Sequence, residues 1–315
     1  MKYYIVALVV LLCCSCGPKM GQNANISLLE REDFNIREIS FAKVFDYDVP
    51  DTSLFSPFSA YNEDNHFFVF DNASGIIYKF DETGKILKKT GREGRGPNEF
   101  ITDKVVSLFL CDHRLYAYDW SLPRMQVYSE DLELLNIIQL EGIPYEATCT
   151  NDGMLAVLFS SNSRLNVLSP DGNIVKRVTI NNVHEEGKFK FKLVEYLPSG
   201  LYAKFFKDPV VIKYSDEFTP IDSIYISNYL ENSLSSISKN SFTIGNEVHF
   251  FTKENNLNND FEKKYSHVFN GDTGYSYSYE LPDSFHNYQI VSHEYLVAFE
   301  NYSTSLSFYK YKINE

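Results

Sequence analysis

The chain has 315 residues, with 29 Lys and Arg against 42 Asp and Glu, and therefore a formal net charge of −13. A hydrophobic fraction of 44% excludes a disordered chain, and the acidic balance excludes the basic surface that nucleic acids require, so no nucleic-acid partner is expected. The content of 23 Tyr and 25 Phe, against 15 Gly and one Trp, favours strands and predicts an all-β fold.

The first 16 residues, MKYYIVALVVLLCCSC, have the layout of an export signal. Lys2 provides a short positive region, and the apolar stretch at 5–12 is too short to span a bilayer but fits a secretory signal. Ser15 followed by Cys16 resembles the lipobox of bacterial lipoproteins, in which the cysteine is acylated and becomes the new N-terminus. We therefore predict a lipoprotein signal peptide at residues 1–15 and lipidation at Cys16. The alternative is an ordinary signal peptide that is cleaved elsewhere, with Cys16 uninvolved.

Residues 16–25 follow the signal and are rich in Gly, Pro, Asn and Gln. Such a composition is typical of a flexible tether, so the folded domain is predicted to occupy residues 26–315. No other stretch of the sequence approaches transmembrane length, and the lipid on the N-terminus is therefore the expected attachment to a membrane.

Three of the five cysteines belong to the signal segment, which leaves Cys111 and Cys149 for the folded domain. An exported protein permits a disulfide between them. Both lie in apolar, strand-like segments, LFLCD and EATCT, where a cysteine also serves as a small buried hydrophobe. The sequence favours this second interpretation and leaves the pairing of the two cysteines open.

The most informative property of the sequence is a repeat of about 45 residues. Each copy has an apolar strand, a polar turn, a second apolar strand, an acidic turn and a third strand. The residue before the acidic turn marks each copy, at Phe80, Tyr128, Leu168, Tyr214, Phe269 and Tyr309, with separations of 48, 40, 46, 55 and 40 residues. This period and the alternation of side chains along each strand predict antiparallel propeller blades and exclude helical repeats.

Six copies over residues 40–315 leave about 46 residues for each blade, which suits four strands and their turns, whereas seven would leave about 39. The predicted fold is therefore all-β, a six-bladed β-propeller of four-stranded antiparallel blades. Residues 34–49 resemble a strand but have no repeat of their own. We expect part of them to add the outer strand of the last blade and thereby close the ring.

Between the first two blades, residues 90–100 read TGREGRGPNEF, the densest glycine cluster in the chain. A phosphate-binding loop is one interpretation, but no Lys-Ser or Lys-Thr follows Gly96, Pro97 interrupts the run, and no helical pattern comes after it. The other interpretation is a connection of several turns in which glycines adopt positive φ and Phe100 plugs the space between adjacent blades.

This segment resembles the NHL-like and TolB-like six-bladed propeller lipoproteins of Bacteroidota, in which a G-x-x-G-x-G-P-x-E-F linker recurs between blades. The matching residues are Gly91, Gly94, Gly96, Pro97, Glu99 and Phe100. The resemblance is specific over residues 66–142 and fades afterwards. It implies the propeller fold and an outer-membrane lipoprotein that faces the periplasm or the cell surface, but it does not assign an activity.

The residues that end the second strand of each blade are the natural place to search for a site around the axis. Nine positions before the markers stand Asp71, Asp119, Phe159, Phe205, Asp260 and Glu300. Some propeller lactonases and lyases bind calcium through axial carboxylates, so Asp71, Asp119 and Glu300 are candidate Ca²⁺ ligands. The alternative, which the sequence favours, is that each aspartate accepts hydrogen bonds from its own turn.

Six residues are candidates for ligand binding at one face of the ring: Asp71, Arg92, Arg95, Asp119, Trp120 and Arg124. The arginines suit an anionic group, and the single tryptophan lies in the turn YDWSLPR, where an aromatic surface can stack on a sugar ring or anchor a peptide. Solvated loop charges and packing between blades are the alternatives. The seven histidines lack ligand-like spacing and are expected at the surface or at strand edges.

No nucleophile elbow, zinc-binding HExxH or EF-hand loop is present, so no catalytic residue is predicted. The favoured function is a lipid-anchored, non-catalytic module of the cell envelope that binds a protein or a glycan. The first alternative is a calcium-dependent, lactonase-like hydrolase or lyase, and the second is a structural scaffold within an envelope complex. Fold alone does not separate these functions.

Overall fold

The computed structural model describes residues 25–29, 35–48, 59–63, 65–101, 106–150, 152–159, 164–179, 191–197, 200–205, 210–215, 220–226, 241–244, 247–255, 262–270, 274–292, 294–300 and 305–314. Strands and turns make up this part of the chain, and it has no helix long and apolar enough to cross a membrane. The predicted signal peptide at 1–15 and the predicted lipidation site, Cys16, lie outside the described residues.

Three strands come from the N-terminal segment: β1 (Asn25–Leu29), β2 (Ile36–Arg37) and β3 (Ile39–Asp48). The next twelve form three sheets of four consecutive strands: β4 (Ser59–Glu63), β5 (His66–Asp71), β6 (Ile76–Phe80) and β7 (Ile86–Thr90); β8 (Val106–Cys111), β9 (Arg114–Asp119), β10 (Arg124–Ser129) and β11 (Leu134–Gln139); β12 (Pro144–Cys149), β13 (Leu155–Phe159), β14 (Arg164–Leu168) and β15 (Ile174–Thr179). We call these sheets blades 1, 2 and 3.

Blades 4 and 5 and the three C-terminal strands of blade 6 complete the set: β16 (Phe191–Leu197), β17 (Gly200–Phe205), β18 (Val210–Tyr214) and β19 (Pro220–Ile226); β20 (Ser241–Ile244), β21 (Glu247–Asn255), β22 (Glu262–Asn270) and β23 (Gly274–Leu281); β24 (Phe285–Ile290), β25 (Tyr295–Glu300) and β26 (Ser305–Ile313). Within each blade, neighbouring strands run antiparallel. The six sheets match the six predicted repeats.

The blades are arranged in a ring with their first strands at the centre. The first strands of consecutive blades contact one another, from β4 to β8, β12, β16 and β20. Blade 6 packs against blade 1 through a cluster that includes Phe67 and Val69 of β5 with Val297 and Phe308 of β25 and β26. The molecule is therefore a six-bladed β-propeller, as the sequence predicts.

Strand β9 shows how the alternating sequence builds the contacts between blades. Leu115 and Ala117 face the cluster shared with blade 1, whereas Tyr116 and Tyr118 face the cluster shared with blade 3. Because each blade is covered on both faces by its neighbours, residues on both faces of the strand are apolar and buried. Phe100 fills the blade 1–blade 2 interface, as expected of the linker.

The N-terminal segment follows the outer edges of three consecutive blades. Strand β1 pairs parallel with β19 of blade 4, β2 pairs parallel with β23 of blade 5, and β3 pairs antiparallel with β26. Strand β3 is thus the fourth strand of blade 6. At blade 5 the segment is fixed by hydrogen bonds from Asn35 N to Tyr275 Oη, at 3.0 Å, and from Ser278 N to Asn35 O, at 2.8 Å. The pairings of β1 and β2 were not predicted.

The structure decides the pairing that the sequence leaves open: Cys111 and Cys149 form a disulfide, against the favoured interpretation as buried hydrophobes. Each is the last residue of the first strand of its blade, β8 in blade 2 and β12 in blade 3. First strands of adjacent blades lie side by side at the centre of the ring, which brings equivalent positions together. The repeat defined above starts at the second strand of each blade, so it did not reveal this equivalence.

Candidate functional site

The propeller has two faces that differ in the connections they carry. We call one the linker face: it holds the links between blades, at 91–101 and 140–143, and the turns between second and third strands, at 71–75 and 119–124. The backbone around Gly75 approaches that of Arg92 so closely that a Cβ on Gly75 would lie 3.0 Å from the Arg92 carbonyl carbon. The turn and the linker therefore form one surface.

Glu99 holds the glycine-rich linker together from the inside. Its carboxylate accepts hydrogen bonds from Gly96 N at 2.6 Å and from Arg92 Nε at 2.8 Å. The Gly96 N–H and then the Arg92 guanidinium hold the pKa of Glu99 below its ordinary value. Gly94 has a φ of 146°, and a Cβ there would collide with the same carboxylate. The loop thus binds a carboxylate of its own chain in the way that phosphate loops bind a ligand.

Blade 2 clamps this linker with side chains of β10. Arg124 Nη2 and Gln126 Nε2 both donate to the carbonyl oxygen of Glu99, at 2.9 and 3.0 Å. Asn98 N donates to Gln126 Oε1 at 2.6 Å, and Tyr128 Oη donates to Asn98 Oδ1 at 2.9 Å. Burial raises the pKa of Tyr128, so its hydroxyl stays protonated and remains a donor. Arg124, a candidate ligand residue, therefore has a structural role.

Asp71 and Asp119 occupy equivalent positions in blades 1 and 2, and both carboxylates are nearly buried. Asp71 accepts hydrogen bonds from Ala73 N at 3.0 Å and Ser74 Oγ at 2.7 Å. Asp119 Oδ1 accepts from Leu122 N at 2.9 Å and from both the backbone and hydroxyl of the preceding serine. Each aspartate thus accepts hydrogen bonds from the turn that follows it, which is the capping arrangement. This arrangement does not favour a calcium-dependent enzyme.

Glu300, the third candidate calcium ligand, ends β25 and pairs with Phe285 in the sheet register. Its side chain lies outside the described residues, as does Asp260. Across the part of the chain that the structure describes, no three His, Cys, Asp or Glu side chains gather as they would around a metal ion.

Trp120 lies at the junction of blades 2 and 3 on the linker face. Its ring is half-buried and packs at 5.0 Å, with a tilt of 35°, against Tyr145 of β12. The same turn is tied to the next linker, because Leu140 N donates to Pro123 O at 2.8 Å. Burial, and then the charge of the adjacent glutamate, raise the pKa of Tyr145, so the hydroxyl is protonated at neutral pH. The pair forms a fixed aromatic surface that remains partly open to solvent.

Arg95 is the candidate that points most openly into solvent. Its side chain is exposed, and no hydrogen bond or ion pair of it is found among the described residues, while its carbonyl oxygen accepts from Arg124 Nη1 at 2.8 Å. The side chain of Arg92 is 77% exposed but is engaged by Glu99 at 2.6 Å. The linker face therefore carries Arg95, Arg124 and Trp120, of which the Arg95 side chain is exposed and the Trp120 ring is partly exposed.

Sequence reasoning missed Tyr145, the aromatic partner of Trp120, since it lies 25 residues away on the first strand of the next blade. The expectation that every histidine is at the surface or at a strand edge is also wrong. His267 is fully buried, and its Nδ1 is 2.8 Å from Ser278 Oγ. Strand β22 is buried on both faces here, since the neighbouring Ser266 and Val268 are also fully buried.

The six radially arranged, four-stranded sheets define a β-propeller, and the comparison with protein families specifies which kind. Residues 59–267 match the family DUF5128, described as 6-bladed beta-propeller, and the chain belongs to this family. No curated protein matches the chain.

Three solved structures illustrate how widely this fold is shared. A candidate exported protein from Bacteroides fragilis is 16% identical, with a TM-score of 0.63 over 92% of this chain and 100% of its own. A duf4221 family member from Bacteroides vulgatus is 14% identical, with a TM-score of 0.56 over 89% and 99%. Virginiamycin B lyase from Staphylococcus aureus is 11% identical, with a TM-score of 0.55 over 87% and 99%. At these identities the similarity concerns the fold alone.

Proposed function

We propose that the protein is a lipid-anchored propeller of the cell envelope that binds a protein or glycan ligand on its linker face. The observation that carries the proposal is the partly exposed pair of Trp120 and Tyr145, which shares the hydrogen-bonded linker face with the exposed Arg95. Rigid aromatic rings lose little entropy when they are covered, so they are effective anchors for a sugar ring or a peptide side chain.

The framework itself supports a binding role. The turn that carries Trp120 is capped by Asp119 and tied to the linkers on both sides by Arg124 and by Leu140. A surface that is already ordered before binding avoids much of the entropic cost of association. Asp71 and Asp119 serve their own turns, so we favour binding over calcium-dependent catalysis.

The proposed location rests on two features. The segment ending in Cys16 resembles a lipoprotein export signal, and the disulfide between Cys111 and Cys149 is of a kind that persists in oxidising compartments outside the cytosol. A similar fold in a candidate exported protein of Bacteroides fragilis agrees with this location. We propose an outer-membrane lipoprotein exposed to the periplasm or to the cell surface.

The single tryptophan makes the proposal directly testable, because Trp120 is the only residue that dominates the intrinsic fluorescence. The protein is titrated with panels of oligosaccharides and of peptides, and emission and melting temperature are recorded. A ligand on the linker face changes the emission and raises the melting temperature. Tyr145→Ala is expected to weaken its binding about tenfold, the loss typical of an aromatic anchor.

Leu135→Ala is the matched control, since this side chain is 55% exposed on β11, away from the linker face. It is expected to bind as the wild type does. If a ligand binds saturably without changing Trp120 emission, and Tyr145→Ala binds it as tightly as the wild type does, the ligand site lies elsewhere. Panels in which neither readout responds to any glycan or peptide would contradict the binding function.

A further inference from the structure

The strand directions determine where the N-terminal segment enters the propeller. In the parallel pairing of β1 with β19, Asn25 lies beside Asp222 and Leu29 beside Ile226. The start of β19 follows the turn from β18, whereas its end leads toward blade 5. Asn25 therefore lies beside the third of the seven residues of β19, nearer to the end of the blade that carries turns between third and fourth strands than to the linker face.

We call the side opposite to the linker face the turn face. It carries the turns between first and second strands, such as 111–114, and three of its turns between third and fourth strands are described, at 81–85, 129–133 and 169–173. From the geometry we infer that the turn face is the surface directed at the lipid bilayer, so that the linker face points away from the membrane. This inference rests on the lipid anchor at Cys16 that the proposed function includes, and it adds which surface the bilayer meets.

The length of the intervening chain limits the alternatives. Eight residues separate Cys16 from Asn25, so even a fully extended chain reaches only about 30 Å. A strand of five or six residues spans about 17–20 Å, which is the depth of a blade. To bring the linker face onto the membrane, the chain would spend about 13 Å of this reach passing back along the four residues from Asp222 to Ile226. An approach from the turn face requires no such detour.

Charge indicates that the anchor, rather than adhesion, holds the domain at the membrane. The three described turns between third and fourth strands carry six carboxylates and one lysine: Asp81, Glu82, Glu130, Asp131, Glu133, Asp171 and Lys85. Lys79 and Lys88 pair with Asp131 and Glu133, and the 111–114 turn adds Asp112 and Arg114, so the net charge of this face is still negative. Anionic headgroups repel such a surface. We therefore expect the turn face to lie near the bilayer without inserting, and the domain to leave the membrane when the anchor is removed.

The test uses full-length, acylated protein in phosphatidylcholine vesicles that carry an energy-transfer acceptor on the outer headgroups. A donor is attached in turn to Asp171→Cys, exposed on the turn face of blade 3, and to Ile143→Cys, 39% exposed on the linker face beside the same blade. Cys111 and Cys149 are joined in the disulfide and do not react with the label. Transfer is expected to be higher from position 171, because the two positions differ in height by about 20 Å.

Equal transfer from the two positions, or higher transfer from position 143, would overturn the orientation. Flotation of Cys16→Ser with the vesicles is the separate test of the anchor. If this variant remains bound, the proposed lipidation fails, and orientation is then measured with a hexahistidine segment at position 16 on nickel-chelating lipid. If the variant is released but transfer is reversed, the anchor stands and the orientation is wrong.

Discussion

Glu99 has its carboxylate inside the glycine-rich linker, from which this carboxylate accepts hydrogen bonds. Its side chain is 19% exposed and accepts bonds from the linker backbone and from Arg92, whose own side chain is mostly in solvent. A loop built for positive φ and dense N–H groups needs an acceptor, and here the chain provides one. Glu99 thus orders the linker internally, while Arg124 and Gln126 attach the linker to blade 2.

The first prediction concerns the pH dependence that Glu99 confers. Because its pKa is lowered in the folded protein, the native state binds fewer protons here than the unfolded chain, and the stabilisation is complete at neutral pH. It is lost as the pH falls below the ordinary value of 4.5 toward the lowered one. The melting-temperature deficit of Glu99→Gln should thus be largest near pH 7 and shrink on acidification. Thermal melts across this range, with Glu82→Gln as control, measure it; a constant deficit would contradict the assignment.

The second prediction concerns Asp119. Replacement by alanine leaves the N–H groups of Ser121 and Leu122 without their acceptor in a buried turn, which costs about 1–3 kcal/mol of unfolding free energy. Asp119→Asn retains an oxygen at this position and should lose less. Chemical denaturation of the three proteins gives the comparison. If Asp119→Ala were as stable as the wild type but lost a calcium-dependent increase in stability, the metal interpretation would replace capping.

At the level of the elements, the disulfide joins the ends of β8 and β12, first strands of adjacent blades. Two clusters of apolar side chains already hold blade 2 between blades 1 and 3. The disulfide adds a covalent link near the axis, where strands are partly open: β12 is half-exposed along most of its length. It secures the strand that carries Tyr145.

The third prediction follows from the loop that this disulfide closes. A separation of 38 residues corresponds to about 4 kcal/mol of stabilisation through the unfolded chain, as an upper value. Dithiothreitol should therefore lower the melting temperature of the wild type by several degrees. The double variant Cys111→Ala, Cys149→Ala should melt near the reduced wild type and show no response to the reductant. A wild type that is indifferent to reduction would argue against a stabilising disulfide.

The elements differ in how far the sequence reveals them. Turn chemistry and alternation are local, so the second, third and fourth strands of blades 1 to 5, and the second and third strands of blade 6, could be predicted from the repeat. The disulfide and the Trp120–Tyr145 contact depend on which first strands become neighbours, and the attachment of β1 and β2 depends on which outer edges lie along the path of the N-terminal segment. Such contacts arise only once the ring is assembled, and no local pattern encodes them.

For the whole molecule, the critical contact is the one between the last blade and the first. Strand β3 brings Phe45 into this interface, where its ring stacks on Phe308 of β26 at 4.0 Å and approaches Phe67 of blade 1 at 5.7 Å. The turn at Gly84 also rests on this ring, since a Cβ there would lie 2.6 Å from it. The N-terminal segment thus contributes both backbone pairing and side-chain packing where the two ends of the chain meet.

The final prediction tests this role with two neighbouring residues of β3, of which Val44 is the unpaired residue where the register with β26 shifts. Phe45→Ala should reduce the unfolding free energy by about 2–4 kcal/mol, somewhat less than for a fully buried ring, because this ring is half-buried. Val44→Ala, at a side chain 37% exposed, should change the unfolding free energy by about 0.5 kcal/mol or less.

Two probes of unfolding show whether the effect spreads around the ring. Far-UV circular dichroism measures the strand content of all blades, whereas Trp120 emission measures unfolding at the junction of blades 2 and 3, away from Phe45. If the ring unfolds cooperatively, both signals shift together in Phe45→Ala. A shift in circular dichroism that leaves the Trp120 transition in place would show that blades 2 and 3 do not depend on closure at β3.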